Sequence, residues 1–223
     1  MPKTTPAAKS SVDQAGRMRN FSPRALRNFR ALFSILLCFF FLTGTVTAGA
    51  WNGTALVEAA RRQVGVTQIY DGAYSRIPYP GGDVPIDRGV CTDVIVRAYR
   101  AFGIDLQKLV HEDMNRAWNV YPRNWGLKRT DPNIDHRRVP NLAVFFRRHG
   151  KVLSGAMAKE PFQPGDLITW RLPGNLPHVG IVSDQMSSKG IPKIIHNIGA
   201  GAVEEDILYL YPITGHFRYE GKK

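Results

Sequence analysis

One cysteine and two histidines of this chain have the order expected of a thiol nucleophile, its base and an orienting group. Cys91 stands where an amphipathic helix is expected to begin, and the free N–H groups and macrodipole of a helix N-terminus favour a thiolate. His178 opens a predicted strand just after Pro177, and His196 lies on the next strand. A hairpin of these strands would bring the imidazoles together. A cysteine paired with a histidine that a third polar group orients is the arrangement of nucleophilic acyl transfer.

Each of these residues, taken alone, also has a structural interpretation. Free cysteine is among the most buried residue types, so Cys91 by itself is equally well explained as a small core hydrophobe. Either histidine by itself could serve only the fold. The orienting group is either His196 or Asn197, because strand parity does not choose between neighbours until the register is known. The hypothesis of a catalytic site therefore rests on the three residues occurring in one order.

The first 50 residues have the features of an export signal. They hold seven lysines and arginines against one aspartate, and the uncharged run Ala31–Leu42 is followed by small residues at Val46–Ala50 that resemble signal-peptidase sites. Residues 1–50 are therefore predicted to be a cleaved signal or an uncleaved N-terminal membrane anchor, and residues 51–223 a single domain. We expect an exported protein of the periplasm or cell envelope, which the uncleaved segment would attach to the inner membrane.

The amino-acid composition limits the classes of partner that the exported domain is expected to bind. Cleavage would leave Cys91 as its one cysteine, and a lone thiol in an oxidising compartment needs burial or a use. Of the formal net charge of +12, half lies in the leader, and the remaining basic excess favours an anionic partner such as a cell-wall polymer or a lipid surface. No basic cluster interleaved with aromatics predicts nucleic-acid binding. Metal-ligand spacings and nucleotide motifs are absent from the sequence, so no metal and no cofactor is expected.

Hydrophobic periodicity predicts helices in the first part of the exported domain and strands in the second. The predicted helices begin after a cap at Gly53 or Thr54, at Cys91, after a cap at Asp105, and at Pro140. A Gly/Pro-rich loop covers residues 70–90. The predicted strands are Leu167–Leu172, His178–Val182, Lys193–Ile198, Ile207–Leu210 and Gly215–Tyr219. This order indicates an α+β fold in which N-terminal helices pack on an antiparallel sheet of about five strands.

The motifs around these residues resemble a known group of enzymes. A cysteine at a helix start, a Pro-Gly-Asp turn into an apolar strand, the sequence HVGIV and a strand containing IIHN resemble the NlpC-type cell-wall peptidases. The resemblance implies a papain-like fold in which Cys91 is the nucleophile, His178 the base and His196 the orienter. It also implies that Tyr79, twelve residues before the cysteine and followed by a Gly-Gly pair, donates to the oxyanion.

A closer resemblance covers nearly the whole exported domain. The segments YPGGDVPIDRGVCTDVIVRA, NIDHRRVPNL, QPGDLITWRL and LPHVGIVSD are similar to a bacterial family catalogued as domain of unknown function family 1287. The NlpC-type pattern is not fully kept, because it has an aspartate before the cysteine where this chain has Val90, and here Asp93 follows instead. A negative charge at that place either raises the thiol pKa or stabilises the helix start.

These observations predict an exported cysteine peptidase or amidase that acts on peptidoglycan peptide bonds through Cys91, His178, His196 and Tyr79. An acyltransferase using the same residues is an alternative, and so is a cell-envelope binding module that keeps the fold without the reaction. Arg137 and Arg138 are candidates for binding a substrate carboxylate, since a guanidinium pairs with a carboxylate through two hydrogen bonds. The alternative for these arginines is a solvated, locally salt-bridged loop.

Overall fold

The structure is a computed structural model, and it describes residues 52–153 and 160–221. The leader predicted at residues 1–50 lies outside the described residues. The described helices are α1 (Gly53–Arg61), α2 (Cys91–Arg100), α3 (Leu106–Arg116) and α4 (Val139–His149). Short 3-10 helices lie at Trp118–Val120, Asn124–Gly126, Asp135–Arg137 and Pro173–Asn175. Across the described ranges, no helix is long and apolar enough to cross a membrane.

Local capping explains where the helices begin and end. The cap of α1 is Asn52 rather than the expected Gly53 or Thr54, because its side chain is the one that accepts the N–H of Ala55, at 2.8 Å. Asp105 caps α3 as predicted, by accepting the N–H of Gln107. The remaining helices also start near the predicted positions, with Pro140 in the first turn of α4.

Six of the strands form an antiparallel sheet, and its members are β3 (Lys151–Val152), β4 (Leu167–Leu172), β5 (Leu176–Met186), β6 (Pro192–Asn197), β7 (Ala202–Glu205) and β8 (Ile213–Arg218). Their order in the sheet is β3-β8-β4-β5-β6-β7. The prediction of a strand at Ile207–Leu210 is wrong. The polypeptide pairs with β6 earlier, in β7, and residues 208–210 form a turn. Ile207 and Leu208 are nevertheless buried, since the turn folds onto the sheet.

The sheet has a core on each face. The face toward the helices carries Val179, Ile181 and Phe217, which pack with residues of α2 that include Cys91. The opposite face carries a smaller core in which Trp170 and Ile194 pack under the turn after β7. Successive residues of β5 therefore point into different cores, which decides where the side chains of the candidate site lie.

A separate two-stranded parallel pair positions the start of α2. Its strands are β1 (Ile69–Tyr70) and β2 (Arg88–Gly89), and Tyr70 lies opposite Gly89. Arg97 of α2 fastens the loop between them, because its guanidinium donates to the Asp83 carboxylate and to the carbonyl oxygens of Val84, Pro85 and Arg88. The Gly/Pro-rich segment predicted as a loop is thus ordered by α2 itself.

Candidate cysteine site

Cys91 is the first residue of α2 and lines a cavity. Its side chain is 4% exposed and packs against the helix-facing core, while the sulfur accepts the backbone N–H of Val179. The cavity has a volume of about 480 Å³, and Tyr70, Pro177 and Arg138 contribute to its walls beside Cys91. A space of this size accommodates a short peptide segment.

The start of α2 is held by a buried ion pair. Asp93 accepts the N–H of Val90 at 2.7 Å, and Arg137 donates to both oxygens of the same carboxylate, at 3.0 Å each for the shortest contacts. Arg137 also donates to the carbonyl oxygens of Asp71 and Ala73. The carboxylate that replaces the NlpC-type pattern therefore ties the cysteine helix to two loops. A side chain at Gly89 would collide with it, since a Cβ there would lie 2.9 Å from Asp93 Oδ2.

The two histidines form a hydrogen-bonded chain that ends on a residue not anticipated from the sequence. His178 Nε2 lies 3.0 Å from His196 Nδ1, and His196 Nε2 lies 3.0 Å from Glu205 Oε1. A carboxylate only accepts, so His196 carries its proton on Nε2 and accepts from His178 through Nδ1. His178 must then hold its proton on Nε2, which leaves its Nδ1 with a free lone pair. The hydrogen-bonded series His178–His196–Glu205 therefore orients His178 so that its Nδ1 can act as a base.

Strand alternation separates the His178 ring from the Cys91 sulfur. His178 stacks against Trp170, with ring centroids 5.8 Å apart, on the sheet face opposite α2. Val179 points to the other face, and its N–H bonds to the sulfur. Among the described side chains no hydrogen bond joins the Cys91 sulfur to the His178 ring, so the direct contact expected from the sequence is replaced by one to the amide that follows the histidine.

Burial keeps both reacting groups neutral in this arrangement. It raises the pKa of the Cys91 thiol to about 12, and the charge of Asp93 acts in the same direction against the N–H donors near the sulfur. It lowers the pKa of His178 to about 3, with His196 adding a smaller effect of the same sign. The pKa of His196 is also lowered by burial, although Glu205 opposes this. At neutral pH the site holds a thiol and an imidazole rather than an ion pair.

Tyr79 does not take the position that the sequence assigned to it. Its ring packs edge-to-face on His111, with centroids 5.2 Å apart, and it is not among the described residues that line the Cys91 cavity. Tyr70 lines that cavity instead, because the β1–β2 pairing sets it beside Gly89. The pKa of Tyr70 is raised by burial first and then by the charges of Cys91 and Asp93. Tyr70 is therefore a second candidate for the oxyanion donor, beside the predicted Tyr79.

The other candidate residues separate into two pairs with different tasks. His196 is the one bonded to His178, whereas the buried Asn197 donates to the Gly89 carbonyl oxygen at 3.0 Å and so fastens the segment before the cysteine. Arg137 is committed to Asp93 and does not serve as a free carboxylate receptor. Both arginines line the cavity, but Arg138 has no hydrogen-bond or ion-pair partner among the described residues.

Glu205 and Tyr70 are the site residues that sequence reasoning missed. Both are defined by strand pairings, His196 with Val203 in β6–β7 and Tyr70 with Gly89 in β1–β2. The acid two residues beyond Val203 lies on the same face as His196 and is the one sequence signal that a known register would have exposed. In the described part of the chain no group of three or more His, Cys, Asp or Glu side chains is placed to hold a metal ion.

Comparisons with known proteins give a family and distant structural likenesses. Residues 57–219 match the family described as "Domain of unknown function (DUF1287)". A protein of Escherichia coli (strain K12), "Uncharacterized protein YijF", is 53% identical over 165 residues, which are 74% of this chain and 80% of that protein. Among solved structures, NlpC1 and NlpC2 from Trichomonas vaginalis are each 19% identical, with TM-scores of 0.44 and 0.40. The likenesses cover 78% and 79% of this chain, but only 46% and 50% of those two chains.

The burial of Cys91 predicts an unusual dependence of thiol reactivity on pH. The alkylation rate of the folded protein by iodoacetamide should rise about tenfold per pH unit from pH 8 to pH 10 without levelling off, because only the thiolate reacts. The rate is read at Cys91 by peptide mass spectrometry. After unfolding in denaturant the same residue should level off above its ordinary pKa of about 8.5. A plateau below pH 8 in the folded protein would contradict the neutral resting thiol.

Proposed function

The chain belongs to the DUF1287 family, and from the geometry of its cysteine site we propose that it is an exported hydrolase of peptidoglycan peptide amide bonds. One observation carries the proposal: Cys91 opens on a peptide-sized cavity and bonds to the amide next to His178, whose Nδ1 is kept free by the chain through His196 to Glu205. A nucleophile, a base and an orienter are the three parts that acyl transfer requires.

The proposed reaction begins from neutral groups. Because the resting His178 ring lies on the Trp170 side of the sheet, the proposed reaction requires this ring to turn toward the sulfur as the substrate enters and the sulfur leaves the Val179 amide. Cys91 then attacks the carbonyl carbon of the bound amide while His178 Nδ1 takes the thiol proton. The charge that develops on His178 is stabilised through His196 by the Glu205 carboxylate. His178 then protonates the leaving amine, and the acyl group remains on sulfur. Water attacks this thioester with His178 again as base, which releases the acid and restores the thiol.

Two donors are available for the oxyanion of each tetrahedral intermediate. One is the backbone N–H of Cys91, which is unused by the helix because it belongs to the first turn. The other is the hydroxyl of Tyr70 on the cavity wall. Donors that are fixed before the reaction stabilise the negative charge where it develops.

The cell-wall location and substrate are supported by features of the sequence. The basic and apolar pattern of residues 1–50 supports export, and the excess of basic side chains beyond them supports an anionic polymer as partner. The NlpC-type motifs around Cys91, His178 and His196 support an amide bond of a wall peptide as the target.

A binding module with the same cavity is the second candidate, and the neutral thiol favours it. A cysteine enzyme usually depends on a lowered thiol pKa, whereas burial raises that of Cys91 to about 12. In this candidate the cavity holds a wall peptide without cleaving it.

Replacement of the nucleophile separates these candidates. Cys91→Ala should abolish release of peptide fragments from purified peptidoglycan, because Cys91 is the one cysteine of the described residues and the proposed acyl intermediate forms on its sulfur. The substitution should leave the melting temperature nearly unchanged. Fragments are measured by mass spectrometry, and Lys189→Ala on a distant exposed loop is the control. Release undiminished by Cys91→Ala would contradict the hydrolase; binding of sacculi by both proteins without any release would establish the binding module.

Glu205 is proposed as a positioning residue that acts through His196. Glu205→Gln should lower kcat by about tenfold with KM unchanged, since a neutral amide no longer stabilises the charge on the histidine chain. The pH profile of kcat should change as well, which a purely structural role would not cause. Asp206→Asn, on the same turn, is the matched control and should behave as the wild type. Equal effects of both substitutions would remove Glu205 from the proposed chain.

Substitution of each tyrosine tests our proposal that Tyr70, rather than Tyr79, is the oxyanion donor. Tyr70→Phe should reduce kcat/KM by about tenfold or more through loss of one donor, whereas Tyr79→Phe should have no effect because that ring packs on His111. Both rates are measured on the same peptidoglycan fragments. The reverse ranking would restore Tyr79 to the role that the NlpC-type resemblance implies.

A further inference from the structure

Arg137 and Arg138 are adjacent in the chain and opposite in their bonding. Arg137 is buried and saturated by the Asp93 carboxylate and two backbone carbonyls. The Arg138 guanidinium forms no hydrogen bond or ion pair with any described residue, and its Nη1 is buried without a partner. An arginine stays charged in proteins, and unpaired buried N–H donors are costly. Arg138 is therefore a charged group whose bonding is incomplete in the free protein.

Arg138 lies at the wall of the cavity that contains Cys91. Both residues line that cavity, together with Trp125. The Arg138 guanidinium carbon lies 4.7 Å from the centroid of the Trp125 ring, so the aromatic face covers one side of the cation. No described residue accepts a hydrogen bond from the guanidinium N–H groups, and Nη1 is buried without a partner.

Nearby acids do not satisfy this cation. Asp135 and Asp131 influence Arg138 electrostatically, but neither forms a hydrogen bond or ion pair with it. Asp135 Oδ2 accepts from His111 and from the Asp131 N–H, Asp135 Oδ1 is buried without a partner, and Asp131 accepts from Tyr74 and Asn133. Burial lowers the pKa of Arg138 despite these two carboxylates. The site is thus a partly shielded positive charge beside a thiol.

We propose that Arg138, with Trp125 packed against one face of its guanidinium, binds a free carboxylate of the substrate beside the amide that Cys91 attacks. This inference rests on the proposed hydrolase activity. The substrate class is then an acidic peptide whose carboxylate lies close to the scissile bond, within the same cavity of about 480 Å³. A carboxylate matches the guanidinium because two parallel N–H···O bonds can form on one edge. The proposed carboxylate subsite lies in the loop region of residues 119–139, which the NlpC-type motifs do not include.

The experiment compares two alkylating agents that differ only in charge near the reacting carbon. Iodoacetate carries a carboxylate and iodoacetamide a neutral amide, and both alkylate the Cys91 sulfur without any need for hydrolysis. Rates are read at Cys91 by peptide mass spectrometry of the full chain, with glutathione as the reference thiol. The ratio of the iodoacetate rate to the iodoacetamide rate should be higher at Cys91 than at the glutathione thiol. In Arg138→Gln it should fall about tenfold, the factor expected for one charge-assisted hydrogen bond.

Two further variants make the comparison specific. Arg123→Gln is the matched control, because Arg123 also lies over a tryptophan, with its guanidinium carbon 5.9 Å from the Trp118 ring centroid, but is exposed and does not line the cavity. Its ratio should equal that of the wild type. Arg138→Lys keeps the charge but not the fork and should give an intermediate ratio. An unchanged ratio in folded Arg138→Gln overturns the proposal. If that variant does not fold, failure of Arg138→Lys or of added acetate to lower the ratio overturns it equally.

A protection assay identifies the kind of anion. Acetyl-alanyl-alanine should slow the reaction of Cys91 with iodoacetamide in the wild type, and its carboxamide should not; Arg138→Gln should remove the difference. Stronger protection by inorganic phosphate than by the peptide acid would overturn the carboxylate assignment. These results do not depend on turnover, so loss of the proposed hydrolase through an inactive wild type leaves the subsite test intact.

Discussion

Arg137 reaches across from the loop before α4 to the Asp93 carboxylate, and three parts of the chain meet at this ion pair. The carboxylate receives Val90 at the helix start, while the guanidinium also holds the carbonyls of Asp71 and Ala73. Both side chains are almost fully buried, so loss of either would leave an uncompensated charge in the interior. The position of Cys91, of Tyr70 and of the cavity between them follows from this contact.

The burial that orders the site also disfavours the charged forms of Cys91 and His178 that the proposed reaction requires. Packing Cys91 against the core raises its thiol pKa, and packing His178 against Trp170 lowers that of the imidazole. A thiolate–imidazolium pair would therefore be formed only during reaction, when the substrate replaces the Val179 amide at the sulfur. The His178–His196–Glu205 chain fits this requirement, because it supplies a carboxylate to the imidazolium at its far end.

Two neighbouring arginines illustrate how an interior distinguishes structural from ligand-binding charge. Arg137 has a partner for each of its guanidinium nitrogens, and Arg138 has an aromatic face but no acceptor among the described residues. Their identical chemistry in sequence gives no indication of this difference. The contrast arises because Asp93 lies within reach of the Arg137 guanidinium, whereas no acceptor of the described residues lies within hydrogen-bond distance of the Arg138 guanidinium.

The amino-acid sequence by itself determined the helices, most of the strands and the order of Cys91, His178 and His196, because periodicity, capping residues and turns act over a few neighbours. It also indicated the α+β class through the change of period after α4. Only the tertiary structure decided that Tyr70 rather than Tyr79 lines the cavity, that Glu205 completes the histidine chain and that Arg137 is bound to Asp93. Each of these depends on strand register or on a contact between segments far apart in the chain. Such contacts are selected by packing and charge compensation of the whole domain, which no local pattern encodes.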